Sequence, residues 1–183
     1  DKNGFHRIQT VYQEIELHDD IIIETHEKDA IEVRCGDKNV PTGEKNLAYR
    51  AAKIFKEFSG IKKGARITIK KWIPVGYGFG GGSSNAAAVL KGLNELWKTD
   101  YSIHTLEYLA RKIGMDVPFF IYGGTVIGTH YGEKIFPLPS CPKREIFLHI
   151  PKARKHSTRD QYKKLDLKTY EADMRHLIDT YIQ

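Results

Sequence analysis

These 183 residues predict an α+β fold, mostly one domain. Three observations carry the prediction. Short β-rich runs open the chain. Across residues 65–90 a β-rich run, a cluster of glycines and an alanine-rich run follow one another. Apolar residues then recur at helical spacing.

In chain order, "RIQTVYQEIEL" puts Val11, Gln13, Ile15 and Leu17 on one side and predicts a strand. "DIIIET" and "AIEVRC" predict two more, separated by charged turns. "VPTG" is a loop. Asn46 precedes Leu47, Ala51, Ile54, Phe55 and Phe58, a helical pattern that ends at Gly60. "ARITIKK" is a strand with Ile67 and Ile69 on one face. After the glycines, Ala86, Val89, Leu90, Leu93, Leu96 and Trp97 form the buried stripe of a helix. Trp72, beside Ile73 and Pro74, is expected to pack inside. Ser102 caps a further helix carrying Leu106, Leu109, Ala110 and Ile113, stopped by Gly114. "TVIGTHYG" and "EIFLHI" predict strands, with Pro137, Pro139 and Pro142 in the connection. From Pro151 the chain turns basic and polar. It closes on an amphipathic helix with Tyr170, Met174, Leu177, Ile178 and Tyr181. That stripe has few partners left in the sequence. Residues 1–150 are therefore expected to be one domain and 151–183 the incomplete beginning of a second.

The composition, 40% apolar and 28% charged, is that of a soluble globular protein. No run is apolar for long enough to span a bilayer, so no membrane partner is expected. No signal-peptide pattern opens the chain, and its first residue is Asp1 rather than Met, so its natural start is expected to lie elsewhere. Cys35 and Cys141 lie far apart in no metal-like spacing, and two ordinary thiols fit a reducing cytoplasm. A net charge of +6 suits a nucleotide, a phosphate ester or a nucleic acid. Only "KARKHSTR" is locally dense in basic residues, and no aromatic residues interleave with the basic ones. That argues against a nucleic-acid partner.

"PVGYGFGGGSSNAAAVL" is the segment with chemistry in it. A strand, glycines and then a helix start make a phosphate-binding layout. Unpaired amides at the first turn point outward, and the helix dipole favours an anion there. Glycines let the main chain approach a phosphate closely. The expected cradle is Pro74, Val75, Gly76, Tyr77, Gly78, Phe79, Gly80, Gly81, Gly82, Ser83 and Ser84. Ser83 and Ser84 are expected to cap the helix and to offer hydroxyls to phosphate or to a magnesium shell. A tight turn would need only one or two glycines. Gly76, Gly78 and Gly81 satisfy the dinucleotide spacing, but no β-rich run precedes Asp100, the acid at the right distance. The Gly-Lys-Ser/Thr of a Walker loop is absent, as are the protein-kinase motifs.

The same segment resembles the ATP loop of the GHMP kinases, a superfamily of small-molecule kinases. "NGFHRIQTVYQEI", "KNLAYRAAKIF" and "IGMDVPFFIYGGTVIGTHYGEKI" extend the likeness, in order, over residues 3–158. They resemble the branch that phosphorylates a cytidine-diphosphate sugar alcohol for isoprenoid synthesis. The resemblance implies the GHMP N-terminal fold (ribosomal protein S5 domain 2-like), with ATP and Mg²⁺ as cofactors and a cytidine-diphosphate substrate. It implies Asp116 of "GMDVP" as the base on the substrate hydroxyl. Phe5 and His6 would stack on and read the cytosine, Tyr12 would line the same pocket, and Thr158 and Tyr162 would form the opposite wall. Asn46 and Lys71 would lie beside adenine and ribose. Without the resemblance, Asp116 reads first as a turn-capping residue before Pro118. Gly123, Gly124 and Gly128 read as relief of crowding in a strand rather than as ligands.

Two family features are missing: an N-terminal strand with a Pro-Ala-Lys block, and a later glycine-rich motif. The resemblance therefore implies a chain cut at both ends, weak or inactive by itself because the lysine of that block would be lost. A GHMP kinase with another alcohol substrate, or a nucleic-acid-binding module, are the rival expectations.

Overall fold

The structure, a computed structural model, describes residues 7–150 and 152. It contains two three-stranded sheets and four helices. In chain order these are β1 (Thr10–Gln13), β2 (Asp20–His26), β3 (Ile31–Cys35), α1 (Leu47–Ser59), β4 (Gly64–Lys70), α2 (Gly81–Leu96), α3 (Ile103–Arg111), α4 (Val117–Tyr122), β5 (Thr125–Thr129) and β6 (Lys134–Pro137).

β4 is the middle strand of its sheet. β2 runs antiparallel to it, from Asp20 opposite Lys70 to His26 opposite Gly64. β3 runs parallel on the other side, from Ile31 opposite Ala65 to Cys35 opposite Ile69. A parallel pair needs a long crossover, and α1 supplies it. In the second sheet β5 pairs antiparallel with both β1 and β6.

The helices follow from their sequences. Asn46 caps α1, its Oδ1 accepting from Ala48 N at 2.8 Å, and Gly60 ends the helix in the left-handed conformation. Ser102 caps α3. Ile67 and Ile69 of β4 turn their side chains onto Phe55 of α1 and onto Val89, Leu90 and Leu93 of α2, all essentially inaccessible to solvent. Gly92 interrupts α2 at a helix cost of about 1 kcal/mol. A Cβ there would lie 2.5 Å from Ile23 Cδ1, so the glycine lets β2 close against the helix.

Several sequence expectations are corrected. β1 ends at Gln13 instead of continuing to Leu17, because its partner ends: Gln13 pairs with Thr125, and Gly123 and Gly124 turn away with φ of 71° and 64°. Those two glycines therefore stand in a turn; Gly128 is the one that relieves crowding in a strand. α3 stops at Arg111, and a turn carries the chain to Gly114. α4 was not expected. Its six residues are too few to show a period, although Pro118 suits a first helical turn. The strand expected in "EIFLHI" is absent: residues 145–150 pair with nothing among the described residues, and β5 pairs with β6 instead. Phe147 is 92% exposed, and Ile146 and Leu148 lie along an open groove of about 1100 Å³ facing residues 13–17. Trp72 is 65% exposed rather than packed inside. Apart from Lys152, the expected second domain at 151–183 lies outside the described residues, as does its helix with Tyr170 and Met174. No helix among the described residues is long and apolar enough to cross a membrane.

Candidate nucleotide-binding site

The glycine loop joins β4 to α2, as the sequence predicts. Pro74, Val75, Tyr77 and Phe79 are half-buried, while Gly76 and Gly78 are exposed. Gly76, Gly78 and Gly80 take φ of 88°, 86° and 74°, a left-handed backbone that side-chain-bearing residues disfavour.

Gly80 is the N-cap of α2, and no side chain caps it. This corrects the expectation for the serines. Ser83 and Ser84 lie inside the first turn, and Ser84 Oγ donates to Gly81 O at 3.0 Å. The helical ladder begins with Ser84 N donating to Gly80 O at 2.9 Å. The amides of Gly81, Gly82 and Ser83 precede it and donate to no protein acceptor among the described residues. An uncapped helix start with bare amides is the chemistry an anion requires.

Three neighbours enclose this turn. The Phe120 ring stands 2.7 Å from where a Gly80 Cβ would be. Lys71 Nζ is 3.0 Å from the corresponding point on Gly81, and Leu47 Cδ1 is 3.6 Å from that on Gly82. Lys71 therefore lies at the loop. Asn46 lies one residue before Leu47 but is occupied by the fold. Besides capping α1, its Nδ2 donates to Pro41 O at 2.6 Å, and the residue is only 7% exposed.

Asp116 is the exposed N-cap residue of α4 and makes no side-chain cap bond. It precedes Phe120, the residue that meets the glycine loop, by four positions, about one helical turn. Phe119 stacks on Tyr12 of β1, with ring centres 5.1 Å apart. A Cβ on Gly128 would lie 2.2 Å from the Tyr12 ring, so this glycine seats the ring on the sheet. α4 thus bridges the glycine loop on one side and Tyr12 on the other. Behind it, Tyr122 Oη donates to Glu107 of α3 at 2.6 Å, and Arg111 pairs with the same carboxylate. Burial and the Glu107 charge push the Tyr122 hydroxyl up to about 12. Phe5, His6, Thr158 and Tyr162 lie outside the described residues.

One residue that sequence reasoning missed stands out. Asp19, just before β2, has a side chain with no solvent exposure. Its Oδ1 accepts from Trp72 N at 2.8 Å and Ile73 N at 2.9 Å, while Oδ2 takes the Lys71 ammonium. The Asn85 side chain of α2 bonds the same carboxylate. Burial alone would raise the Asp19 pKa, but the bonds from Lys71, Ile73, Trp72 and Asn85 outweigh it and hold it below the usual value. Its nearest partners in the chain, Lys71, Trp72 and Ile73, stand 52–54 positions away, so "HDD" carries no local signal beyond a charged turn. Among the described residues no cluster of three or more His, Cys, Asp or Glu side chains could hold a metal ion.

The chain and its fold have counterparts among known proteins. Residues 46–124 match the family described as GHMP kinases N terminal domain. The chain is 45% identical over 166 residues to 4-diphosphocytidyl-2-C-methyl-D-erythritol kinase of Caldicellulosiruptor bescii, covering 91% of this chain and 58% of the relative. It is 43% identical to the Geobacillus kaustophilus protein of the same name, covering 90% and 57%. The chain thus spans somewhat over half the length of these relatives. A crystal structure of 4-(cytidine 5'-diphospho)-2C-methyl-D-erythritol kinase superposes with a TM-score of 0.62 at 36% identity, over 75% of this chain and 48% of that one. A homoserine kinase from Cytophaga hutchinsonii shares the fold at 22% identity and a TM-score of 0.62, over 87% and 54%. Residues 46–124 thus carry the likeness to the GHMP kinase N-terminal domain, within a fold similar to that of the solved cytidyl kinase.

Proposed function

We propose that the full-length protein transfers the γ-phosphoryl group of ATP to a hydroxyl of 4-diphosphocytidyl-2-C-methyl-D-erythritol, in the cytoplasm, as a step of isoprenoid precursor synthesis. Relatives at 43–45% identity bear the name of that kinase. The observation that carries the reading is the contact of α4 with the glycine loop. Asp116 is the N-cap residue of that helix, four positions before the Phe120 that packs on Gly80.

In this reading the triphosphate lies on the amides of Gly81, Gly82 and Ser83. The Ser83 and Ser84 hydroxyls would offer oxygen ligands to a Mg²⁺ carried with it, and that ion would supply charge neutralisation. Lys71 lies beside the nucleotide. Asp116 takes the proton from the substrate hydroxyl as its oxygen bonds to the γ-phosphorus; the bond to the bridging oxygen breaks and ADP leaves. Tyr12, next to α4, lines the alcohol side. Phe5 and His6, with Thr158 and Tyr162 opposite, hold the cytosine, which makes the second partner a cytidine diphosphate.

A coupled ADP-release assay on full-length protein tests this, comparing the cytidyl alcohol with mevalonate and homoserine. Turnover with the cytidyl substrate alone is expected, and Asp116→Asn is expected to lower kcat about 10²–10⁴-fold. Preference for mevalonate or homoserine would refute the substrate. Undiminished turnover in the variant would remove Asp116 from the chemistry.

A further inference from the structure

We propose that Asp19 is a positioning residue for the nucleotide loop, fixing the loop's stem with one carboxylate oxygen and the Lys71 ammonium with the other. Lys71 is thereby presented to a bound nucleotide in a single orientation. The inference rests on the nucleotide reading above and adds a residue outside the glycine motif.

A lysine beside the first turn of a helix faces the positive end of the dipole and is repelled by it. On a flexible four-carbon stem it would swing into water. Here it does not: Lys71 is 11% exposed, with Nζ 3.0 Å from the Gly81 Cβ position. The only acid bonded to it among the described residues is Asp19, itself fully buried. Buried ion pairs give little net stability compared with apolar packing. A pair kept at this point is therefore explained by what it holds, the cation at the loop and the main chain of Trp72 and Ile73 that leads into it. The Asn85 contact adds α2, so one carboxylate joins the start of β2, the stem of the loop and the helix behind it.

The two oxygens separate the roles. In Asp19→Asn the Oδ1 bonds to the Trp72 and Ile73 amides persist, while an NH₂ group faces the ammonium in place of Oδ2. In the full-length protein, this variant is expected to raise KM for ATP about ten-fold, with kcat and KM for the alcohol changed less than about two-fold. Lys71→Met is expected to act likewise, and the double variant to be no worse than Lys71→Met alone, because Asp19 acts through Lys71. An unchanged KM for ATP in Asp19→Asn, or additive effects in the double variant, would overturn the proposal. Should Asp19→Asn fail to fold, Lys71→Met against Lys71→Arg decides. Restoration of the KM by Arg supports the proposal, and equal KM values overturn it. Calorimetric titration with ATP separates this inference from the kinase reading. ATP binding that Asp19→Asn weakens, in a protein that phosphorylates no alcohol, ends the kinase reading and keeps this one. A wild-type protein that binds no ATP ends both.

Discussion

The Phe120 ring stands 2.7 Å from the point a Gly80 Cβ would occupy, so α4 and the loop that leads into α2 touch directly. Gly80→Ala meets two penalties there. The residue has φ of 74°, which costs a side-chain-bearing residue about 1–2 kcal/mol. The added methyl would also push Phe120, and with it α4, away from the loop. A Tm lower by several degrees and a raised KM for ATP are expected. Gly43→Ala, where nothing lies within 4 Å, is the control and should stay within about 0.5 kcal/mol of wild type. Equal behaviour of the two variants in thermal melts would contradict the packing account.

Asp19 makes an acid-side prediction. Its carboxyl is held below the ordinary 3.8 because its hydrogen bonds outweigh burial. The folded state therefore binds that proton more weakly than the unfolded chain. The corresponding stability is complete above the ordinary value and fades as pH falls through the folded one. A series of melts in acid should show Asp19→Asn with a shallower loss of Tm below about pH 4 than wild type. Parallel curves would show that Asp19 does not contribute to acid unfolding.

Tyr122 makes the complementary prediction in alkali. Burial and Glu107 raise its hydroxyl from 10.0 to about 12. Between those values the unfolded chain ionises and the folded one does not, so stability falls as pH rises through that window. Tyr122→Phe should lose the bond to Glu107 at neutral pH and show no such alkaline fall. Chemical denaturation at pH 8 and at pH 11 checks both parts.

Much of the core arrangement is legible in the sequence because it is periodic. Ile67 and Ile69 alternate on β4, and Leu106, Leu109 and Ala110 recur on α3, so a local pattern finds them. The loop is legible too, since glycines followed by alanines have few other uses. Short elements are not. α4 spans too few residues to repeat, and β6 is a charged and proline-flanked strand defined by its register with β5. "EIFLHI" has the alternation of a strand, but alternation cannot supply an edge to pair with. Residue type points to the serines as the cap, but the backbone sets it three residues before Ser83, at Gly80. Asp19 was invisible because its meaning lies in groups more than fifty positions away.

The order β2-β4-β3 has a consequence for synthesis. β2 and β3 leave the ribosome before β4 and do not pair with each other; they flank a strand that appears only at residues 64–70. Until then both expose main-chain amides to any passing strand, and α1 has no finished sheet to rest on. Nascent chains arrested just before Gly64 should be cleaved readily by protease and recruit holdase chaperones. Those arrested with β4 and α2 outside the tunnel should resist. Equal resistance at both lengths would mean that β2 and β3 find shelter without their centre.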